Sequence, residues 1–450
     1  FQTILVKAHD ALQQGLLNDT DAAIVREVWR ESYREKKLTP SFVQRLTEAT
    51  TVGYHAWQEA KTAKDFSLFL PTLQHIVSLK QEEANLIGYA QSPYDALLDT
   101  YEPNLTTATT TDILSDLTAF LIPFLKTIQA TPATPTPAWL HDAFDIHTQK
   151  KIVTNLLRDI GFDFSAGRLD ESVHPFTTAT HPFDARITTS FDPENVFVAI
   201  SGVMHEFGHG LYEQGLPVEN FGTPLAESAS LSIHESQSRL WENIIGLSHP
   251  FCQFLRPRLV ESFPHQFSSV SEEALYRGLN QVRPSLIRIH ADEVTYNLHI
   301  ALRFALERDL IEGRLPVAEL PDAWRDYSER FFGITPVDDG EGVLQDVHWS
   351  QGLFGYFPTY TLGNLYSAQF WDAAHTQHPT ITSDIASGDF SRLRTWMRDT
   401  IHIHGKFHSP AELIKRVSGR ELSSDSFQRY LIEKYSDLYP GLRTFSPHTQ

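Results

Sequence analysis

Apolar residues recur at three- and four-residue spacing over residues 42–60, 66–89, 111–130 and 148–160, the period of a helix with one buried face. Thr39-Pro40-Ser41 and the run from Thr110 to Asp112 carry the start signals of two of these helices. Between Gly161 and Asp192 the pattern changes to short segments rich in Thr, Phe, Val and Ile, and residues 186–191, R-I-T-T-S-F, alternate as a strand does. A small β-sheet is predicted there. The helical period returns at 199–214, stops at Gly215 and Pro217, resumes from Thr223-Pro224 through 246, and spans 285–312. Residues 333–352 read as a Gly-rich loop, and the remainder as helices. The expected fold is therefore mainly α, with a small sheet next to the helix at 199–214. The Pro/Thr-rich stretch 130–139 is either a domain boundary or an inter-helix connection. The expected division is an N-terminal helical region over 1–160 and a catalytic region over 161–450, packed as one continuous unit.

Composition narrows the function. A chain of 450 residues with 41% hydrophobic and 12% aromatic content can fill a large core. Its net charge of −19, without any basic cluster, argues against nucleic acid and against an anionic membrane surface as partners. The apolar patch A-F-L-I-P-F-L around Ile122 is too short to span a membrane. Cys252 is the single cysteine, so no internal disulfide forms, and the opening F-Q-T-I-L-V-K lacks the build of a signal peptide. A cytoplasmic location is expected.

The chemistry concentrates in His205-Glu206-x-x-His209, inside the run A-I-S-G-V-M-H-E-F-G-H-G-L-Y-E-Q. Residues four apart share one helix face, so both imidazoles can reach a single metal ion, while Glu206 lies where it can take a proton from water. Chance alone gives roughly 0.06 such matches in a chain of this composition, so the motif needs support. A catalytic zinc site takes three protein ligands and keeps one position open, and Glu227, His234, Glu235 and Glu242 on the next helix are candidates for the third. Spacing leaves these open. A structural zinc would want several cysteines, which the chain lacks. Zn²⁺ is the expected ion, although Co²⁺ or Mn²⁺ suits similar nitrogen and oxygen donors. Gly208 and Gly210, unfavourable in a helix, predict another element close by. An edge strand beside such a helix can pair with an extended peptide. His55, His75 and His141 are isolated and read as structural or exposed.

Six blocks occur in order: H-P-F at His174–Phe176, D-A-R-I-T at Asp184–Thr188, H-E-F-G-H at His205–His209, H-E-S-Q at His234–Gln237, I-R-I-H-A-D at Ile287–Asp292 and G-V-L-Q-D-V-H-W at Gly342–Trp349. Together they resemble the signature of the thermostable, Taq-type metallocarboxypeptidases. The resemblance implies Glu235 as third ligand, a helical fold around a deep central cleft, a homodimer, and release of C-terminal residues from peptides with broad specificity. A second H-P-F at His181–Phe183 has no place in that series and reads as a coincidence in a turn.

An enzyme restricted to C-terminal residues must recognise a free carboxylate, which a guanidinium fork matches. Arg288 is the candidate, with Asp292 four residues on to hold it as a helix ion pair. His348 reads as donor to the oxyanion, beside Gln345 as a substrate contact, and Asp346 as an outer acid orienting a ligand imidazole. By the resemblance, Tyr366 or Tyr356 assists the same oxyanion. Two rivals stand: a metallo-endopeptidase or oligopeptidase sharing the metal residues, and a non-catalytic helical protein with a relic site.

Overall fold

Thr39 accepts from the Phe42 N–H at 3.2 Å and Pro40 occupies the first turn, so α1 (Pro40–Ala63) begins where the sequence signals it. The computed structural model describes residues 2–132 and 135–445. After α1 come α2 (Leu70–Ile87), α3 (Thr107–Gln129) and α4 (Ile146–Ile160). α3 starts a turn earlier than its Thr110–Asp112 signal because Thr106 caps it, accepting from Thr109 N–H at 3.1 Å. Strands β1 (Gly167–Glu171), β2 (Thr177–His181) and β3 (Asp184–Thr189) form a sheet of order β1-β3-β2, with β1 parallel and β2 antiparallel to β3.

α5 (Val196–Gly215) carries the HExxH motif and is capped by Asn195. It buries Val196, Ala199, Ile200, Val203, Met204, Phe207 and Tyr212. Apolar residues therefore lie nearly all round it, as on a helix enclosed by its neighbours. β2 and β3 pack on one side, where Thr189 Oγ1 bonds Ala199 O at 3.2 Å, and α6 (Leu231–Arg239) packs on another. The small sheet thus stands beside the motif helix, as the sequence predicts.

Thr223-Pro224 opens only a 3₁₀ turn; α6 starts at Leu231 under a Ser230 cap and runs on into a π-helical turn, Leu240–Ile245. The helix expected over 285–312 is shorter, α7 (Tyr296–Ile311). Asp292 captures the N–H groups of Val294 and Thr295, which holds the preceding chain in a loop containing a single 3₁₀ turn, Arg288–His290. α8 (Pro358–Gln377) follows the 333–352 loop.

The chain packs into two compact units, each built from three stretches. The first comprises Phe1–Glu27, Pro132–Gln281 and Leu362–Leu438; the second comprises Val28–Thr131, Val282–Thr361 and Tyr439–Gln450. One junction falls inside the Pro/Thr-rich stretch, of which Ala133 and Thr134 lie outside the described residues. The units interleave along the chain, and neither follows the sequential division at residue 160. No helix among the described residues is long and apolar enough to cross a membrane.

Candidate metal centre

In the first unit, α5 and α6 approach backbone to backbone. A Cβ at Gly208 would stand 2.4 Å from the Gln237 carbonyl oxygen, so only glycine permits this spacing. The approach brings Glu235 to the paired histidines. Its Oε2 lies 3.8 Å from His205 Nε2 and 3.5 Å from His209 Nε2, and the three donor atoms all lie within 4.8 Å of one another. Ligands about 2.1 Å from a tetrahedral ion are separated by roughly 3.4 Å, so two nitrogens and one oxygen at these spacings fit a divalent metal. The other oxygen of Glu235 is tied down by Arg239 Nε at 2.7 Å.

The acids around the site favour positive charge. Burial alone would lower the His205 imidazole, yet Glu242 and Glu235 raise it to about 9. His205 Nδ1 meets Glu242 Oε2 at 2.8 Å, which leaves Nε2 on the side of Glu235, 3.8 Å from its Oε2. Ser201 Oγ donates to the other oxygen of Glu242 at 2.9 Å. Burial holds His209 down at about 3, in the neutral form a ligand needs. His209 Nδ1 is a buried atom without a hydrogen-bond partner among the described residues. Of the alternative third ligands, Glu227 is exposed and bonded to Lys406, while His234 is bonded to Glu213 at 2.8 Å and stacks on His209 at 4.4 Å.

Glu206 is 4% exposed, and burial pushes its carboxyl upward. Thr177 Oγ1, at the start of β2, donates to Glu206 Oε2 at 2.5 Å. β2 is an edge strand. Tyr366 is buried on α8 and stacks on Phe370 at 6.1 Å.

The second unit gathers the remaining expected residues into another cluster. Arg288 Nε and Nη2 donate to Asp346 Oδ1 at 3.0 and 2.7 Å, and Arg303 Nε and Nη2 to Asp346 Oδ2 at 2.7 and 2.5 Å. Two sequence expectations, for Asp346 and Asp292, are corrected here. Asp346 orients no ligand imidazole, because both of its oxygens are occupied by arginines; the acid on His205 is Glu242. Asp292 does not grip Arg288, since no helix joins them; it accepts instead from the main-chain N–H groups of Arg283, Val294 and Thr295 and staples the loop that carries Arg288. Gln345 uses its amide within the protein, donating to Leu286 O and Glu341 O and accepting from Arg288 N–H at 3.0 Å.

His348 opens a 3₁₀ turn and is ringed by Tyr356, Phe357 and Tyr360. Burial pushes it down to about 4, so the imidazole is neutral near pH 7. Its Nε2 meets Tyr360 Oη at 3.3 Å; Tyr356 contacts the ring without that bond. Glu307, whose carboxyl burial pushes up to about 7, accepts from Tyr94 Oη, Trp349 Nε1 and Gly355 N–H. It thereby fixes the segment between His348 and Tyr356. Thr177, Glu242, Arg303, Glu307 and Tyr360 were not assigned these contacts from sequence. Only Glu242 left a signal, a second acid seven residues after Glu235 and so on the same helix face.

The sequence pattern of the family described as carboxypeptidase Taq (M32) metallopeptidase matches residues 2–435. Thermostable carboxypeptidase 1 of Thermus thermophilus is 40% identical over 431 residues, covering 93% of this chain and 84% of that protein. Carboxypeptidase 1 of Bacillus subtilis is 38% identical over 429 residues, 94% of this chain and 84% of its own length. The crystal structure of the M32 carboxypeptidase from Deinococcus radiodurans superimposes with a TM-score of 0.92 at 37% identity, covering 94% of this chain and 85% of that one. Agreement of this depth reaches far beyond the five residues of HExxH and extends along nearly the whole chain, so the protein belongs to the M32, carboxypeptidase Taq, family of metallopeptidases and is a metallocarboxypeptidase.

Proposed function

We propose that the enzyme is zinc-dependent, holds its ion through His205, His209 and Glu235, and releases C-terminal residues from peptides of broad sequence as a cytoplasmic homodimer. The convergence of those three donor atoms beside Glu206 carries the reading. A divalent ion held there by His205, His209 and Glu235 would supply Lewis acidity toward water and the peptide carbonyl. Glu206, with Oε2 held by Thr177, uses Oε1 to take the proton from water and passes it to the leaving amine nitrogen. Glu242 keeps His205 in the tautomer that presents Nε2. The free edge of β2, beginning at Thr177, is suited to pair with the extended peptide backbone.

Arg288 is assigned to the terminal carboxylate, and a charge imbalance supports it. Arg288 and Arg303 share the single carboxylate of Asp346, which leaves one positive charge in excess within that triad. His348, neutral through burial, is the candidate donor to the carbonyl oxygen as it gains charge. The test compares a peptide carrying a free C-terminal acid with its amide. The acid should be cleaved well and the amide poorly. Arg288→Ala should lower kcat/KM on the acid about 10- to 100-fold, the worth of a charge-assisted hydrogen bond, while metal content stays. Equal cleavage of acid and amide by the wild-type enzyme would favour an endopeptidase instead.

A further inference from the structure

His181-Pro182-Phe183 forms the turn of the β2–β3 hairpin. Phe183 is 63% exposed, and Phe221, from the loop after α5, is 54% exposed. The imidazole of His181 touches both, with ring centroids 5.2 Å from Phe183 and 4.3 Å from Phe221. Its Nδ1 accepts from Phe183 N–H at 3.0 Å, which locks the turn. One exposed aromatic ring is ordinary. A cluster of three rings, two of them largely exposed, two on a fixed hairpin and one on the loop beside it, is a surface suited to hold an apolar side chain.

The position of this cluster gives it a partner. β2 runs from Thr177, bonded to Glu206, to His181 at the cluster. Thr188 N–H donates to Phe176 O at 3.0 Å, so 176 and 188 are a hydrogen-bonded pair and the pairs alternate from there: 177–187 open, 178–186 bonded, 179–185 open. The N–H and C=O groups of Thr177 and Ala179 therefore point away from β3, along the free edge. A bulge between Ala179 and His181 then re-aims the end of the strand. A peptide added parallel to β2 would place the residues after the scissile bond along the strand, and a carboxypeptidase substrate has only one. Only the antiparallel course lays the residues before the scissile bond from Thr177 toward His181. Four residues at ~3.3 Å each separate the two ends, a span of about 13 Å.

We propose that His181, Phe183 and Phe221 form a distal subsite for an aromatic or large aliphatic side chain of the peptide substrate, about four or five residues N-terminal to the scissile bond. This rests on the carboxypeptidase reading and on β2 as the peptide-pairing edge. Its occupant is an apolar side chain of the chain being trimmed, continuous with the catalytic end of the same strand.

The experiment moves one phenylalanine stepwise through an alanine octapeptide with a free C-terminus and reads kcat/KM from the released residue. Wild-type enzyme should show a maximum, about fivefold above the all-alanine peptide, with the ring about four or five positions before the scissile bond. Phe221→Ala and Phe183→Ala should flatten that maximum, and Phe221→Leu should retain part of it. Metal content of each variant reports that the site remains folded. A flat wild-type profile, or a maximum that survives both alanine variants, overturns the subsite; if the free acid is still preferred over the amide, the carboxypeptidase reading survives that failure. Equal hydrolysis of the amide overturns both.

Discussion

At the scale of single residues, two glutamates near the same imidazole have separable duties. In the proposed mechanism Glu206 moves a proton and Glu242 orients the His205 imidazole, so Glu206→Gln should keep the metal and lose roughly 10²- to 10⁴-fold in kcat. Glu242→Ala should instead weaken metal binding by about 10- to 100-fold, read by competition with a chromogenic chelator. Identical effects of the two changes would merge the roles. Asp346 makes a prediction about pH. Against the upward push of burial, Arg303 and Arg288 hold its carboxyl well below the usual carboxylate range. A depressed folded pKa gives stability that is present above the unfolded value, about 3.9, and lost as pH falls toward the folded one. Asp346→Asn leaves two buried guanidinium groups without their counter-charge and should cost about 3–5 kcal/mol at neutral pH. That difference should shrink below about pH 4 in denaturant titrations; a gap independent of pH would show that charge is not its source.

At the scale of elements, α5, α6 and α8 set the geometry by how closely they approach. A Cβ at Gly363 of α8 would stand 2.6 Å from Glu235 Cγ, and one at Gly208 would meet the α6 backbone. Backbone cannot yield as a side-chain end can, so Gly208→Ala should destabilise the fold by about 1–3 kcal/mol in thermal melts. Gly363→Ala should displace Glu235 and weaken metal binding with a smaller loss of stability. Of these approaches the sequence announced one, through Gly208, which a helix disfavours; Gly210 marks instead the contact of α5 with Ile187 of β3 and with Phe162. It overran α7, because the apolar period continues upstream of Tyr296 while the Asp292 side chain takes the N–H groups a helix would need. Local competition of this kind does not alter the pattern of apolar positions.

At the scale of the whole molecule, the unit that holds His205, His209 and Glu235 draws on three separate stretches. His402, far along the chain, bonds Gln237 Oε1 at 2.9 Å and lies against Gly215, while α8 supplies the backbone against Glu235. A fragment of residues 132–281 contains every proposed metal ligand but lacks these contacts. It should show helical far-UV dichroism without a near-UV signal, and no tight zinc binding; a cooperative thermal transition in that fragment would contradict this. The sequence by itself determined the helical class, the small sheet beside the motif helix, and the pair of histidines with their glutamate, because periodicity and four-residue spacing are local properties of the chain. It left the third ligand among four candidates until the ordered blocks were read together. Tertiary structure alone decided which acid faces His205 and which arginines claim Asp346. Arg288 and Asp346 are 58 residues apart, and their pairing follows from the folding of intervening chain rather than from any spacing within it.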